Sequence, residues 1–259
     1  MLITSLENRQ VKYVRSLQRR RVRYRERVFL VEGLRLLEEA LRAGVMPALL
    51  FHTASFNETP RGRLLLAEYK GPTYEVSEEV MRYLSNLVSP PGVLAVVPFV
   101  ELEAPPEPGL ILVLDSVREP GNLGAILRSA EAAGTSLVIL APQTVDVYNP
   151  KVVRGAMGAH FRLPIARLAW PQIELALKGR AVFLADARGE LVYYEVDWTS
   201  PSALILGGEA EGANPQAEKL SSGRVAIPMQ GKVESLNVAV AASIILFEAA
   251  RQRASLNRT

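Results

Sequence analysis

The segment Leu110–Leu114 (LILVL) constrains the fold more than any other, because it is apolar at every position. A strand that is apolar on both faces must be covered on both faces, as a central strand of a parallel sheet is. Predicted strands follow at 136–140, 162–167, 181–186, 203–206 and 224–227, and predicted helices at 123–133 and 237–250. This alternation predicts an α/β domain with a parallel sheet between helices.

A proline-rich stretch, ELEAPPEPG at 101–109, predicts a semi-rigid linker, because its three prolines cannot continue a helix or a central strand. It separates a domain at 1–100 from one at 110–259. The first part alternates too and predicts a smaller α/β sandwich. Its predicted helices are 8–20, 34–42, 60–69 and 77–87, and its predicted strands are 28–32, 48–52 and 93–98.

Composition excludes several classes of site. The chain has no cysteine, so disulfides, thiolate metal sites and cysteine nucleophiles are ruled out. Two histidines make a multi-histidine metal site unfavourable, and we expect no metal. No apolar run is long enough to span a bilayer, and the N-terminus does not resemble a secretory signal. We therefore expect a cytoplasmic protein.

The charge distribution is uneven. Residues 1–27 contain nine Lys or Arg and two Glu, whereas the rest of the chain contains 21 basic and 25 acidic residues. A basic arm on a mildly acidic body indicates a polyanionic partner. Tyr13 and Tyr24 are predicted to stack on unpaired bases, and the alternative is a solvated basic helix face. The residues predicted to contact the phosphates of such a partner are chiefly Arg15, Arg19, Arg20, Arg21 and Arg23.

Three segments contain the candidate chemistry, and the first is 115–133, DSVREPGNLGAILRSAEAA. A buried strand ends there, a loop follows and a helix begins, and such loops bind ligands in open α/β sheets. Asn122 is predicted at the helix start, where its amide can cap backbone N–H groups. Arg128 follows beside apolar residues. The alternative is an ordinary N-cap and a surface arginine.

The second segment is 204–215, LILGGEAEGANP, in which an apolar strand enters a glycine-rich turn. Glycines allow a backbone to approach a ligand closely. Glu209 and Glu211 would repel a phosphate, so a cation, hydroxyl or amine is the better guest, and S-adenosylmethionine has all three. The alternative is a plain glycine-rich turn.

The third segment is 225–240, in which a strand, a short loop and the last helix follow one another. Ser235 and Asn237 open that helix. The alternative is that either residue is only an N-cap.

Together these segments resemble the SpoU/TrmH branch of the SPOUT methyltransferases. The shared motifs are Asn122-Leu123-Gly124 with Arg128, the turn 207–212 (GGEAEG), and Ile227-Pro228-Met229 with Ser235-Leu236-Asn237-Val238. They occur in order and cover the whole C-terminal domain. Residues 31–41 also resemble, more loosely, the N-terminal substrate domain of ribosomal-RNA members. Ala210 departs from the family pattern, in which glycine commonly follows the glutamate.

The resemblance implies a deep trefoil knot in the parallel-sheet domain, a homodimer whose interface builds the active sites, and S-adenosylmethionine as cofactor. The implied catalytic residues are Arg128, Asn122, Glu209, Ser235 and Asn237. The implied cofactor-binding residues are Gly207, Gly208, Glu209, Gly212, Ile227, Met229, Leu236 and Asn237.

The implied reaction is attack of a ribose 2′-hydroxyl on the methyl group of a sulfonium. That hydroxyl is a weak nucleophile, so alignment and a proton acceptor are needed. The family assigns activation to the motif arginine, although an arginine side chain normally has a pKa above about 12. We therefore expect Arg128 to orient the hydroxyl and its neighbouring phosphate.

Three rival interpretations remain open. A Rossmann-type methyltransferase would have its glycine-rich loop after the first strand, whereas here the glycines follow Leu206. A transfer-RNA methyltransferase is the second rival, and a non-catalytic ribosome-assembly factor that binds RNA is the third. The separate N-terminal domain favours ribosomal RNA as the substrate.

Overall fold

The structure is a computed structural model that describes residues 2–106, 109–208 and 214–256. It divides into two compact units, of which the first contains the chain up to Val100 together with Asp146–Phe161. The second contains Glu101–Val145 and the chain from Arg162 onward. The linker position predicted that 146–161 would belong to the second domain. This segment joins the first unit because Tyr148, Val153 and Phe161 pack into that unit's hydrophobic core.

The first unit is a four-stranded mixed sheet between two layers of helices. The strand order is β1-β4-β2-β3, with β4 antiparallel to both neighbours and β2 parallel to β3. Its elements are α1 (Arg9–Ser16), α2 (Arg20–Glu26), β1 (Val28–Glu32), α3 (Leu34–Arg42), β2 (Leu49–His52), α4 (Ala54–Glu58), α5 (Pro60–Glu68), β3 (Thr73–Glu75), α6 (Glu78–Leu84), β4 (Val93–Pro98), α8 (Pro150–Ala156) and a 3-10 turn (Ala159–Phe161).

Alternate residues of β1 enter different cores, as the two-residue period of a strand requires. Phe29 and Val31 pack on the side that contains α3 and α5, whereas Val28 and Leu30 pack on the side that contains α1 and α6. Both faces of this strand are therefore buried, which confirms the predicted α/β sandwich.

The basic N-terminus is part of this fold. The helix predicted at 8–20 ends at Ser16, and a second helix begins at Arg20. Val11 and Val14 on the first helix and Leu17 at its end are fully buried. The break between α1 and α2 leaves backbone carbonyls without helical partners. Arg23 satisfies two of them, because its Nη1 donates to the carbonyls of Leu17 (2.7 Å) and Gln18 (2.8 Å).

The second unit is a parallel sheet of seven described strands, in the order β7-β6-β5-β10-β8-β11-β9. This confirms the parallel sheet expected from the sequence. The elements are β5 (Leu110–Leu114), α7 (Pro120–Ala132), β6 (Leu137–Leu140), β7 (Ile165–Arg167), α9 (Trp170–Ala176), β8 (Ala181–Ala185), β9 (Leu191–Val192), β10 (Ser202–Leu206), α10 (Pro215–Leu220), β11 (Gly223–Ala226) and α11 (Val238–Leu256).

The register of the sheet gathers the strand ends that carry the motifs. Leu206 pairs with Leu114 on one side and with Ala185 on the other, and Val225 also pairs with Ala185. All these strands are parallel, so their carboxyl ends meet at one edge of the sheet. That edge is where open α/β sheets bind ligands. No helix in the described part of the chain is long and apolar enough to cross a membrane.

Candidate active site

A cavity of about 470 Å³ lies at the carboxyl edge of the second unit's sheet, beside the first turns of α11. Its volume is in the range of pockets that hold nucleotide-sized ligands. The described lining residues are Ala185, Asp186, Ala187, Leu206, Gly207, Gly208, Val225, Ile227, Met229, Ser235, Leu236, Asn237, Val238, Ala241 and Ile245.

Six of the eight predicted cofactor-binding residues line this cavity. The glycines 207 and 208 come from the end of β10, and the other four are Ile227, Met229, Leu236 and Asn237. The remaining two, Glu209 and Gly212, lie outside the described residues. Residues from two motifs far apart in sequence thus face one space.

Asn237 joins the third motif to the first. Its Oδ1 accepts from the backbone N–H of Ala239 (2.9 Å) and Val240 (3.3 Å), which caps the start of α11. Its Nδ2 donates to Asn122 Oδ1 at 3.0 Å. The capping function expected as an alternative is therefore present, and the same amide also bridges to α7.

Asn122 is not the N-cap of α7, in contrast to the prediction. The helix begins at Pro120, and Glu119 is the N-cap, with its carboxylate accepting from the Gly121 N–H at 3.5 Å. A proline at the first position suits a helix start, because its missing N–H would have no helical partner there. The earlier start places Asn122 within the first turn, where its side chain reaches Asn237.

Arg128 lies on the exposed side of α7 and is not among the described lining residues. Its neighbour Ser129 binds Ser243 of α11 at 2.8 Å, and Ser243 in turn donates to the carbonyl of Ala239 (2.7 Å). The bond between the two serines joins the two motif-bearing helices. Ser235 is exposed at the mouth of the cavity.

Asp115 is a buried carboxylate at the end of β5 to which no motif drew attention. It is 1% exposed, and its Oδ2 accepts from the Asn214 N–H at 2.8 Å. Beside it, a side chain on Gly208 would come within 2.8 Å of the Ser116 carbonyl, so only glycine fits. Asp115 therefore anchors the chain at Asn214, where the described structure resumes.

Asp186 is a second functional candidate that the motifs did not reveal. It follows β8 directly and lines the cavity. Its carboxylate forms an ion pair with Arg224 (Nη1 to Oδ2, 2.9 Å), and Arg224 also contacts Glu218 (3.1 Å). The signal available in the sequence was its place as the last residue of the strand predicted at 181–186, at the same edge as the recognised motifs.

The predicted RNA-contacting arginines of the first unit divide into two groups. Arg19, Arg20 and Arg21 are exposed, and Arg15 is half-buried with its guanidinium 4.9 Å from the centre of the Tyr83 ring. These four remain available to a polyanion, although the guanidinium of Arg15 is partly shared with that ring.

Arg23, which was predicted to contact RNA, is instead buried in the fold of the first unit. Its side chain is 3% exposed and forms an ion pair with Asp146. Tyr24, which was expected to stack on a base, donates its hydroxyl to the same carboxylate at 2.9 Å and packs edge-on against Phe99. Tyr13 packs against the core between the sheet, α1 and α6.

His160 has a structural environment. It is buried, and its Nε2 lies 2.8 Å from the carbonyl of Val147. Burial lowers the pKa of His160 to about 4, because the charged imidazolium is poorly solvated there. Among the described residues, no group of three or more His, Asp or Glu side chains could hold a metal ion.

Comparison with known proteins identifies both parts of the chain. The model of the SpoU rRNA Methylase family matches residues 109–247, and that of the MRM3-like substrate binding domain matches residues 8–95.

Two relatives of similar length have named activities. The chain is 32% identical to the 23S rRNA (guanosine(2553)-2'-O)-methyltransferase RlmP of Bacillus subtilis, covering 95% of this chain and 97% of that protein. It is 33% identical to the 23S rRNA (uridine(2479)-2'-O)-methyltransferase of Streptomyces viridochromogenes, covering 98% and 93%.

A solved structure also matches. The SpoU methyltransferase AviRb from Streptomyces viridochromogenes, in complex with the cofactor AdoMet, superposes with a TM-score of 0.86 at 31% identity. The match covers 96% of this chain and 99% of that one, so it includes both units.

Proposed function

The chain belongs to the SpoU rRNA methylase family, and we propose that it methylates a ribose 2′-hydroxyl of ribosomal RNA with S-adenosylmethionine. The observation that carries this proposal is the bond between Asn237 and Asn122, which joins two motifs beside the cavity at the sheet edge. The two relatives are named as 2'-O-methyltransferases of 23S rRNA, which supports the same class of substrate here.

The chemistry of the cavity suits S-adenosylmethionine. Its volume of about 470 Å³ fits an adenosine with a short side chain, and its walls combine apolar side chains with polar backbone from Gly207 and Gly208. The AviRb structure, to which this chain is similar, contains this cofactor. When bound, it supplies an electrophilic methyl group on a sulfonium cation.

The proposed catalytic residues would act where the cofactor's methyl group meets the ribose, and Glu209 among them lies outside the described residues. Arg128 orients the 2′-hydroxyl and the adjacent phosphate, because a planar guanidinium can bind both oxygens at once. Asn122 and Asn237 position the first turns of α7 and α11, and Ser235 and Glu209 complete the substrate side. Formation of the oxygen–carbon bond would break the carbon–sulfur bond and release the neutral thioether, and the hydroxyl proton would pass to water. Transfer from a sulfonium to a neutral oxygen disperses charge and requires no metal.

A second copy of the chain completes the site in this proposal. Arg128 is exposed and does not line the cavity of its own chain. On α11, which packs against α7, the apolar side chains of Val240 and Phe247 are 47% and 51% exposed. A homodimer would cover these side chains and could bring Arg128 of one protomer to the cofactor of its partner.

Two further features of the second domain belong to the proposal. The first is the family's trefoil knot, with which the strand order is compatible, since β10 and β11 lie on opposite sides of β8. We also assign the enzyme to the cytoplasm, where ribosomal RNA is available to it.

The first unit is proposed to bind RNA, and its match to a substrate-binding domain supports this role. The exposed Arg19, Arg20 and Arg21, together with Arg15, would contact phosphates and add salt-dependent affinity with little sequence preference. The domain division proposed is 1–100 for RNA binding, 101–109 for the linker and 110–259 for methyl transfer, except that 146–161 packs with the first unit.

The test is incubation of the full chain with labelled S-adenosylmethionine and either unmodified ribosomal RNA or transfer RNA. We expect label in ribosomal RNA only. Label in transfer RNA alone would contradict the proposed substrate. Cofactor binding without transfer to any RNA would instead indicate a non-catalytic assembly factor.

A further inference from the structure

Asp186 is the one charged side chain among the described residues that line the cavity. It occupies the position directly after β8, next to the ends of β10 and β11. Its side chain is 28% exposed, so part of the carboxylate stays accessible at the cavity wall. A ligand that fills this cavity therefore meets a fixed acceptor at the end of β8.

The carboxylate is held in a fixed direction. Oδ1 accepts from the Arg188 N–H at 2.8 Å, and Oδ2 accepts from Arg224 Nη1 at 2.9 Å. The turn that carries it lies close against β11, since a side chain on Gly189 would come within 2.7 Å of the Arg224 carbonyl. The Arg224 N–H in turn donates to Glu190 at 3.0 Å. The group is thus preorganised before any ligand arrives.

The same geometry leaves room for further donors. An ionised carboxylate has about four acceptor positions, and the bonds from Arg188 and Arg224 use one on each oxygen. Arg224 already supplies a counter-charge, so the remaining capacity suits neutral O–H donors better than a second cation. A sulfonium has no N–H or O–H to donate.

We propose that Asp186 is the residue that recognises the ribose of the cofactor, by accepting hydrogen bonds from its vicinal 2′- and 3′-hydroxyls. The proposal rests on the proposed function, because it takes S-adenosylmethionine as the ligand of this cavity. It adds a specificity-determining residue that lies outside the three recognised motifs.

The test measures binding, by isothermal titration calorimetry, of three ligands to the full chain and to Asp186→Asn. The ligands are S-adenosylmethionine, S-adenosylhomocysteine and 5′-methylthioadenosine, which share the ribose and differ in the sulfonium charge and the amino-acid group. Loss of hydrogen bonds to a charged acceptor should weaken all three by a similar factor, roughly 10- to 100-fold.

Other outcomes would overturn the proposal. Weakening of S-adenosylmethionine alone would mean that Asp186 attracts the sulfonium, and sparing of 5′-methylthioadenosine would mean that it binds the amino-acid group. Unchanged affinity for all three would mean that the carboxylate only shapes its turn. If the unsubstituted chain bound none of them, the proposed function itself would fail.

Glu218→Gln is the matched control. It removes the other carboxylate that contacts Arg224, yet Glu218 is not among the described lining residues. We expect its three dissociation constants to equal those of the unsubstituted chain. Equal thermal melting of both variants would show that Asp186→Asn acts on binding and not on folding. A loss in Glu218→Gln as large as that in Asp186→Asn would contradict direct recognition by Asp186.

Discussion

Replacing Asp146 with alanine would remove the carboxylate that pairs with a buried arginine. The side chains of Arg23 and Asp146 are 3% and 7% exposed, so the guanidinium would stay desolvated with its charge uncompensated. Breaking a buried pair in this way costs about 3–5 kcal/mol. Arg23 keeps its bonds to the carbonyls of Leu17 and Gln18, which favours the lower end of that range.

The lost hydrogen bond from Tyr24 to Asp146 adds about 1 kcal/mol. We therefore expect Asp146→Ala to lower the free energy of unfolding of the first unit by about 4 kcal/mol. Urea unfolding followed by hydrogen exchange at α1 and α2 would measure it. A loss below about 1 kcal/mol would refute the reasoning.

Two control variants distinguish the cost of an unpaired buried charge from the cost of lost packing. The double variant Arg23→Met with Asp146→Leu removes both charges and should recover most of the stability, because well-packed apolar pairs often replace buried ion pairs at little cost. Arg23→Met should also leave the salt dependence of RNA binding unchanged, since this guanidinium is buried. A reduced slope of log Kd against log salt in this variant would mean that Arg23 does contact RNA.

The site and the first unit lead to three more predictions. Arg128→Ala should abolish methyl transfer, while the affinity for S-adenosylmethionine measured by calorimetry stays within about twofold, a free-energy change near the thermal energy. Normal turnover by this variant would contradict the proposed role of Arg128. Changing Arg19, Arg20 and Arg21 together to glutamine should lower the slope of log Kd against log salt for RNA by roughly 2, at about 0.7 for each single-strand phosphate contact. An unchanged slope would mean that these side chains do not contact phosphate. Because the pKa of His160 falls to about 4 on folding, the unfolded chain binds its proton first as the pH drops below about 6.5. The free energy of unfolding should thus decline by up to about 3 kcal/mol between pH 6.5 and pH 4. In urea unfolding, the His160→Gln variant should not show this part of the decline, and an identical pH dependence in both proteins would contradict the prediction.

Local signals predicted several elements with their bounds, although the helix predicted at 237–250 extends to Leu256. The strands Val28–Glu32, Val93–Pro98 and Leu110–Leu114 and the helix Leu34–Arg42 have the bounds that apolar patterning indicated. These segments are buried on one or both faces, and burial is what the pattern reports.

Short elements lack such a signal. The two-residue strand Leu191–Val192 and the helix Ala54–Glu58 are too short for a period to emerge. The helices that begin at Pro150 and Pro215 did carry a signal, since each follows an asparagine that caps it. An asparagine before a proline at a helix start was therefore an overlooked indication.

The sequence predicted those site residues that belong to motifs at the ends of strands. It did not predict residues whose role depends on a contact between segments distant in sequence. Asp186 lines the cavity because β8 lies between β10 and β11, an order that local patterns do not contain. Arg23 was assigned to RNA because its sequence neighbours are exposed arginines. Its partner Asp146 is 123 residues away, and no local pattern indicates that pairing.

The central claim is methylation of a ribose hydroxyl in ribosomal RNA. The most direct measurement maps 2′-O-methylated nucleotides in ribosomal RNA from cells with and without the gene, and from cells that carry only the Arg128→Ala variant. We expect that one ribose methyl group is lost on deletion, restored by the unsubstituted gene and not by the variant. An unchanged ribose-methylation map, or a change confined to base methylation or to transfer RNA, would contradict the claim.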